Sequence, residues 1–184
     1  MNLFLPPLNR AAPALCNLGI MTVKEHVYLL LGSNLGDRLQ VLLAAGELIA
    51  IQIGNIVAES SIYETAPWGV LDQPSFLNQV VEVETDLSPE EVLRVILDIE
   101  HELGRVRYER WGARVIDIDI LYFNNLVLDS ARLTIPHPRL HERRFTLIPL
   151  AELAPLFIHP ILNKSTLHLL ADCPDNSEVT IFLK

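Results

Sequence analysis

Asp117 and Asp119 stand two residues apart in the run Val115-Ile-Asp-Ile-Asp-Ile-Leu-Tyr-Phe123, directly after Arg105, Arg107, Arg110 and Arg114. The alternation and β-branching of that run predict a strand. Residues i and i+2 share one face of a strand, with their roots ~6.5–7 Å apart. Both carboxylates therefore point the same way, while Ile116, Ile118 and Ile120 point into a core. Carboxylates at that spacing can each hold a hard divalent cation, or share a pair of them. Guanidinium forks suit the phosphates that such cations accompany. The pattern points to metal-assisted phosphoryl chemistry. An ordinary half-exposed strand alternates too. Aspartate is disfavoured inside strands, however, and these two sit in the one basic region of an acidic chain.

That asymmetry decides what partners to expect. The 184 residues carry 14 Lys+Arg against 23 Asp+Glu, a net charge of −9. Residues 105–144 hold eight arginines and five acids, a local excess of positive charge. So acidic a chain is unsuited to coating long nucleic acid, which needs broad phosphate neutralisation. A small polyanion such as a nucleotide needs only a local pocket. No apolar run reaches the roughly 18–20 residues of a membrane span. Cys16 and Cys173 match no metal or redox spacing, which suits a reducing, cytoplasmic setting. Residues 1–24, with Pro6, Pro7 and Pro13, read as a flexible extension rather than a secretory signal. Met21 offers a second start. Residues 25–184 are long enough for one domain with its own core.

The elements that must position the acids are legible in outline. Val27–Leu31 reads as a buried strand running into the turn Gly32-Ser-Asn-Leu-Gly-Asp37 and a helix over 37–51. The turn matches neither a Walker loop nor G-x-G-x-x-G, and alone it reads as a simple strand-to-helix connection. Strands are predicted over 56–64 and 76–85, joined by a loop too long for a tight hairpin. Ser88, Pro89 and Glu91 form the start signal of a second helix, and Gly104 its stop. The aspartate strand comes next, then Pro-punctuated loops, short helices near 145–153 and 164–171, and an edge strand over 179–182. Strand, helix, strand, strand, helix, strand is the order of an α+β ferredoxin-like sandwich, an antiparallel sheet with helices packed on its faces. On the residues alone, a nucleotide-sensing module and a two-metal phosphodiesterase remain open beside a phosphotransferase.

Six ordered motifs then resemble one family. Gly32-Ser-Asn-Leu-Gly36, Tyr63-Glu-Thr65, Asp72-Gln-Pro74 with Phe76-Leu-Asn78, Gly104-Arg-Val-Arg107, Arg110-Trp-Gly-Ala-Arg-Val-Ile-Asp-Ile-Asp-Ile-Leu121 and Leu133-Thr-Ile-Pro-His137 resemble 6-hydroxymethyl-7,8-dihydropterin pyrophosphokinase of folate biosynthesis. The resemblance spans about residues 26–171. It implies transfer of diphosphate from ATP to the pterin's hydroxymethyl oxygen, with release of AMP.

The same resemblance distributes the roles. Asp117 and Asp119 hold two Mg2+ ions, with Arg105 and Arg114 as their catalytic neighbours. Leu93, Glu100, Arg107, Arg110, Trp111, Ile120, Arg132, Thr134, His137 and Arg143 are expected at ATP. Thr65, Ala66, Trp68, Phe76, Asn78 and Phe145 are expected at the pterin, the rings of Phe76 and Phe145 as stacking plates and Asn78 as donor and acceptor to its edge. Without the resemblance, Glu100 reads as a solvated helix charge. The implied partners are ATP and the pterin, acting on a monomer. The chain departs from some relatives at Phe76 (Tyr there), Pro138 (Tyr), Arg144 (Gly) and in a shorter arginine loop. His26, His101, His141, His159 and His168 have no ligand spacing and receive no role.

Overall fold

Strand β1 (Glu25–Ser33) is buried from Val27 to Ser33, and its side chains alternate between two cores. Val27, Leu29 and Leu31 face one, and Tyr28 and Leu30 the other. A strand covered on both faces has no polar side, which is why its sequence is an unbroken apolar run. The computed structural model describes residues 24–67, 73–105 and 114–184. The expected extension therefore lies, except for Lys24, outside the described residues, as do Trp68, Arg107, Arg110 and Trp111.

The remaining elements are α1 (Arg38–Gln52), β2 (Asn55–Glu59), β3 (Ile62–Thr65), β4 (Phe76–Thr85), α2 (Pro89–Glu102), β5 (Asp117–Phe123), β6 (Leu128–Asp129), β7 (Thr134–Ile135), α3 (Arg144–Leu153), α4 (Thr166–Ala171) and β8 (Val179–Leu183). One antiparallel sheet has the order β5-β1-β4-β3-β8, with β2 on the other half of β4. The inside position of β1 and β4, with β5 beside β1, is the ferredoxin-like arrangement expected from the element order. Helices α1 and α2 cover one face through Leu42, Ala45, Ile49, Val92, Ile96 and Ile99. Helices α3 and α4 cover the other through Leu147, Leu150 and Leu169.

Ser88 caps α2 as expected: its hydroxyl accepts from Glu91 N, and Glu91 reaches back to Ser88 N at 2.8 Å. Asp37 caps α1 through Gln40 N. The single strand expected over 56–64 is broken at Ser60–Ser61. Ser60 Oγ donates to the Ser61 carbonyl at 2.8 Å and accepts from Val80 N at 3.0 Å, while Ser61 N donates to Glu152 of α3 at 2.9 Å. Serine hydroxyls thus take over the ladder, and the chain steps from one half of β4 to the other. The short β6–β7 hairpin has too little alternation to be read in advance. Among the described residues, no helix is long and apolar enough to cross a membrane.

Candidate active site

The site grows from one row of residues in register across four strands. Tyr63 of β3 pairs with Asn78 of β4, Asn78 with Gly32 of β1, and Gly32 with Asp117 of β5. Residues directly opposite in a ladder share a face, so Asn78, Gly32 and Asp117 lie on one face of the sheet. Neighbouring strands are ~4.8 Å apart, which leaves the amide and the carboxylate on either side of a bare glycine. A Cβ at Gly32 would meet Asn78 Oδ1 at 3.1 Å and Phe76 Cδ1 at 3.9 Å. The missing side chain keeps the floor open between the pterin-facing and metal-facing residues expected from the sequence.

Asp119 pairs with Leu30 one step further along β5 and shares the face of Asp117. Both acids are half-buried, while Ile116, Ile118 and Ile120 are core residues on the opposite face. A register shift lies between Tyr28 and Leu29, where Tyr28 faces Tyr122 and Leu29 faces Ile120. The extra residue, Leu121, turns both itself and Tyr122 into the second core. The carboxylate face therefore ends where an aromatic cluster of Tyr28, Tyr122 and Phe157 begins.

Among the described residues, four charged side chains surround the pair. Arg105 Nη2 lies 2.7 Å from Asp117 Oδ1, and Arg114 Nη1 bonds the other oxygen. Arg143 Nη1 stands 4.0 Å from Asp119 Oδ2. Glu100 is 3 % exposed and pairs with Arg105 Nη1, while its Oε1 accepts from Ile118 N at 2.9 Å. That amide lies between the two aspartates. Glu100 is thus no solvated helix charge, and it reaches β5 from beneath. Burial raises the Glu100 carboxyl above the usual carboxylate range, against hydrogen bonds that lower it. Asp119 is pushed up to about 7, by loss of water first and by the Asp117 charge second. Burial, with Arg143 next, pushes His137 down to about 4, so its ring is neutral at pH 7. His137 Nδ1 accepts from Arg139 N at 3.2 Å, which leaves Nε2 as the proton-bearing nitrogen.

Other expected site residues are distributed more widely. Asn78 is 3 % exposed and donates through Nδ2 to Thr65 Oγ1 at 2.7 Å. Thr65 pairs in register with Phe76, and Ala66 comes next at the exposed strand end. The Arg143 guanidinium lies over the Phe145 ring at 5.6 Å, joining the expected phosphate and pterin contacts at the start of α3. His137 N donates to Leu121 O at 3.0 Å, which ties the segment after β7 to β5. Thr134 bonds Asp129 across the β6–β7 hairpin, and Arg132 is exposed at its turn. Leu93 and Ile120 pack in the core between α2 and the sheet, so the Ile120 side chain lies on the face opposite the carboxylates.

Two positioning residues received no role from the sequence, although the first lies within the Gly32–Gly36 motif. Asn34 is 1 % exposed: its amide donates to Gln73 Oε1 at 3.1 Å and Pro74 O at 3.2 Å, while its Oδ1 accepts from Arg114 N at 2.8 Å. It joins the segment before Phe76 to the arginine before Asp117. An asparagine in a turn is too ordinary to announce this. Asp175 is the second. The N-cap of α3, Arg143, has no side-chain cap bond, and Asp175 Oδ2 accepts from Arg144 N at 2.9 Å instead. Asp175→Ala is expected to lower stability by about 1 kcal/mol, the usual loss for a missing cap, with urea unfolding as the measurement. An unchanged midpoint would show the tail does not hold α3.

Comparison with known proteins places this geometry in a lineage. Residues 28–155 match the family model of 7,8-dihydro-6-hydroxymethylpterin-pyrophosphokinase. A 2-amino-4-hydroxy-6-hydroxymethyldihydropteridine pyrophosphokinase of Methylorubrum extorquens is 50% identical over 131 residues, covering 71% of this chain and 83% of the relative. The protein of that name from Bacillus subtilis is 49% identical over 127 residues, covering 68% and 76%. Among solved structures, an HPPK-DHPS in complex with substrates superposes with a TM-score of 0.68 at 16% identity, covering 81% of this chain and 43% of that one. A Plasmodium falciparum HPPK-DHPS gives 0.67 at 20% identity, covering 84% and 45%. The chain spans less than half of either solved chain, and at such identities they show the fold alone.

Proposed function

The chain belongs to the 7,8-dihydro-6-hydroxymethylpterin-pyrophosphokinase family, and on that premise we propose how its residues divide the reaction. Diphosphate passes from ATP to the hydroxymethyl oxygen of 6-hydroxymethyl-7,8-dihydropterin, and AMP leaves. The supporting observation is the register row in which Asn78 and Asp117 flank Gly32. It sets a hydrogen-bonding amide for a flat heterocycle two strands away from a carboxylate pair for a charged tail.

The donor set fits Mg2+. Two carboxylates on one strand face leave most of a coordination shell to phosphates and water, which is how this ion usually binds. Lost hydration first, and the Asp117 charge second, raise Asp119, and a bound cation would offset both. When bound, two such ions neutralise the triphosphate oxygens and ease deprotonation of the attacking hydroxyl.

The chain's own groups then position and stabilise, as phosphoryl transfer mainly requires. Arg105 and Arg114, which pair with Asp117, would turn to the triphosphate. Arg143 closes from α3 and neutralises charge at the transferred group. Neutral His137 donates from Nε2 and adds no repulsion to the arginines. Asn78 reads the pterin edge while Thr65 fixes its amide, and Phe76 and Phe145 stack on the ring. Arg107, Arg110, Trp111 and Trp68 retain their expected roles at the two substrates. The protein acts as a cytoplasmic monomer.

The deciding experiment mixes protein, Mg2+, ATP and the reduced hydroxymethyl pterin and identifies the nucleotide product. AMP formed only when pterin is present is the expected result. ADP, or no turnover, contradicts the reading.

A further inference from the structure

Arg38 is the first residue of α1, where a positive charge opposes the helix dipole. The terminus is capped by Asp37, so Arg38 is not needed there. Its Nη1 donates to Glu64 Oε1 at 2.7 Å, to the Ser75 carbonyl at 2.9 Å and to Ser75 Oγ at 3.0 Å. Ser75 Oγ also donates to Glu64 Oε1 at 2.9 Å. The three side chains form one closed set of bonds.

The neighbours of each partner in the chain give the set its meaning. Glu64 directly precedes Thr65, Ser75 directly precedes Phe76, and Thr65 and Phe76 face each other across β3 and β4. Thr65 in turn holds the Asn78 amide. We propose that Arg38, Glu64 and Ser75 are positioning residues that hold Thr65, Phe76 and Asn78 in register and so set affinity for the pterin without touching it. The inference rests on the assignment of those three residues to the pterin.

A surface ion pair alone is worth ~0–1 kcal/mol. Arg38 differs from such a pair because it binds a backbone carbonyl and clasps both sides of one strand connection. Its side chain is 25% exposed and that of Glu64 36%, so each can be changed without opening a core. Bonds from Arg38 and Ser75 hold the Glu64 carboxyl below the usual carboxylate range, so the set is intact at neutral pH.

The test compares substrate dependence in Arg38→Ala, Glu64→Ala and their double variant. Pterin KM is expected to rise ~10-fold in Arg38→Ala, with kcat at saturating pterin and the KM for ATP within about twofold of wild type. The double variant should be little worse than either single one, because both remove the same closed set. An unchanged pterin KM, fully additive penalties, or pterin and ATP KM rising together would each overturn the proposal. Should Arg38→Ala fold poorly, Ser75→Ala, which removes only a hydroxyl, must show the same selective rise. The two readings fail separately. A wild-type protein that forms no AMP sinks the proposed function, whereas normal wild-type turnover with an unaltered Arg38→Ala sinks only this inference.

Discussion

Asp117→Ala and Asp119→Ala are each expected to lower turnover by at least ~10^3-fold at saturating Mg2+, the largest losses in the molecule. Removing one group that stabilises developing charge commonly costs about 10²–10³-fold. On the proposed assignment, each aspartate would also hold the cations that position the triphosphate. The measurement is AMP release under saturating substrates. A variant within about tenfold of wild type would refute the metal assignment.

Stability should move the other way at Asp119. Its carboxyl is pushed up to about 7, well above the usual carboxylate range, chiefly by lost hydration and then by Asp117. The folded protein thus holds this proton more tightly than the unfolded chain. The group's stabilising contribution is full below the unfolded value and is lost as pH rises through the folded one. In metal-free buffer, wild type should lose melting temperature relative to Asp119→Asn between about pH 4 and about pH 7. Parallel pH profiles would show the carboxyl is not strained. A residue that weakens the fold while enabling the reaction is the expected signature of a functional group.

The acid pair is legible in the sequence because its cause is local. Side chains two apart on a strand must share a face, and the intervening isoleucines fix which face is inside. Helix α2 is equally legible, since its start signal at Ser88, Pro89 and Glu91 and its stop at Gly104 all lie within or beside the segment. Gly32 is harder. Its value depends on Asn78 and Asp117 standing on either side, a cross-strand register that no local pattern encodes. Ser60 and Ser61 break an expected strand because their partners, Val80 and Glu152, come from elsewhere in the chain. Asn34, Arg38 and Asp175 share that difficulty: each is an ordinary polar residue whose partners are fixed only by the tertiary fold. The chemistry is therefore readable before the means of holding it in place.

Glu100 shows the distinction most sharply and carries the second large effect. By helix position it sits at the border of the buried stripe, where a charge usually reaches water. In the fold, its side chain is 4% exposed and that of Arg105 12%. Glu100→Ala would leave the guanidinium without this partner and the Ile118 amide facing a void. Breaking a buried pair by removing one member typically costs about 3–5 kcal/mol, so urea unfolding should shift by that amount. Glu100→Gln keeps an oxygen for Ile118 N and loses only the charge, so its loss should be roughly half as large. Its kcat should nevertheless fall ~10-fold. Arg105 and the strand between the two aspartates would be mispositioned, so the triphosphate would lose a contact as well. A Glu100→Ala protein within about 1 kcal/mol of wild type would return this residue to the solvated helix surface, and with it remove the support beneath the carboxylate pair.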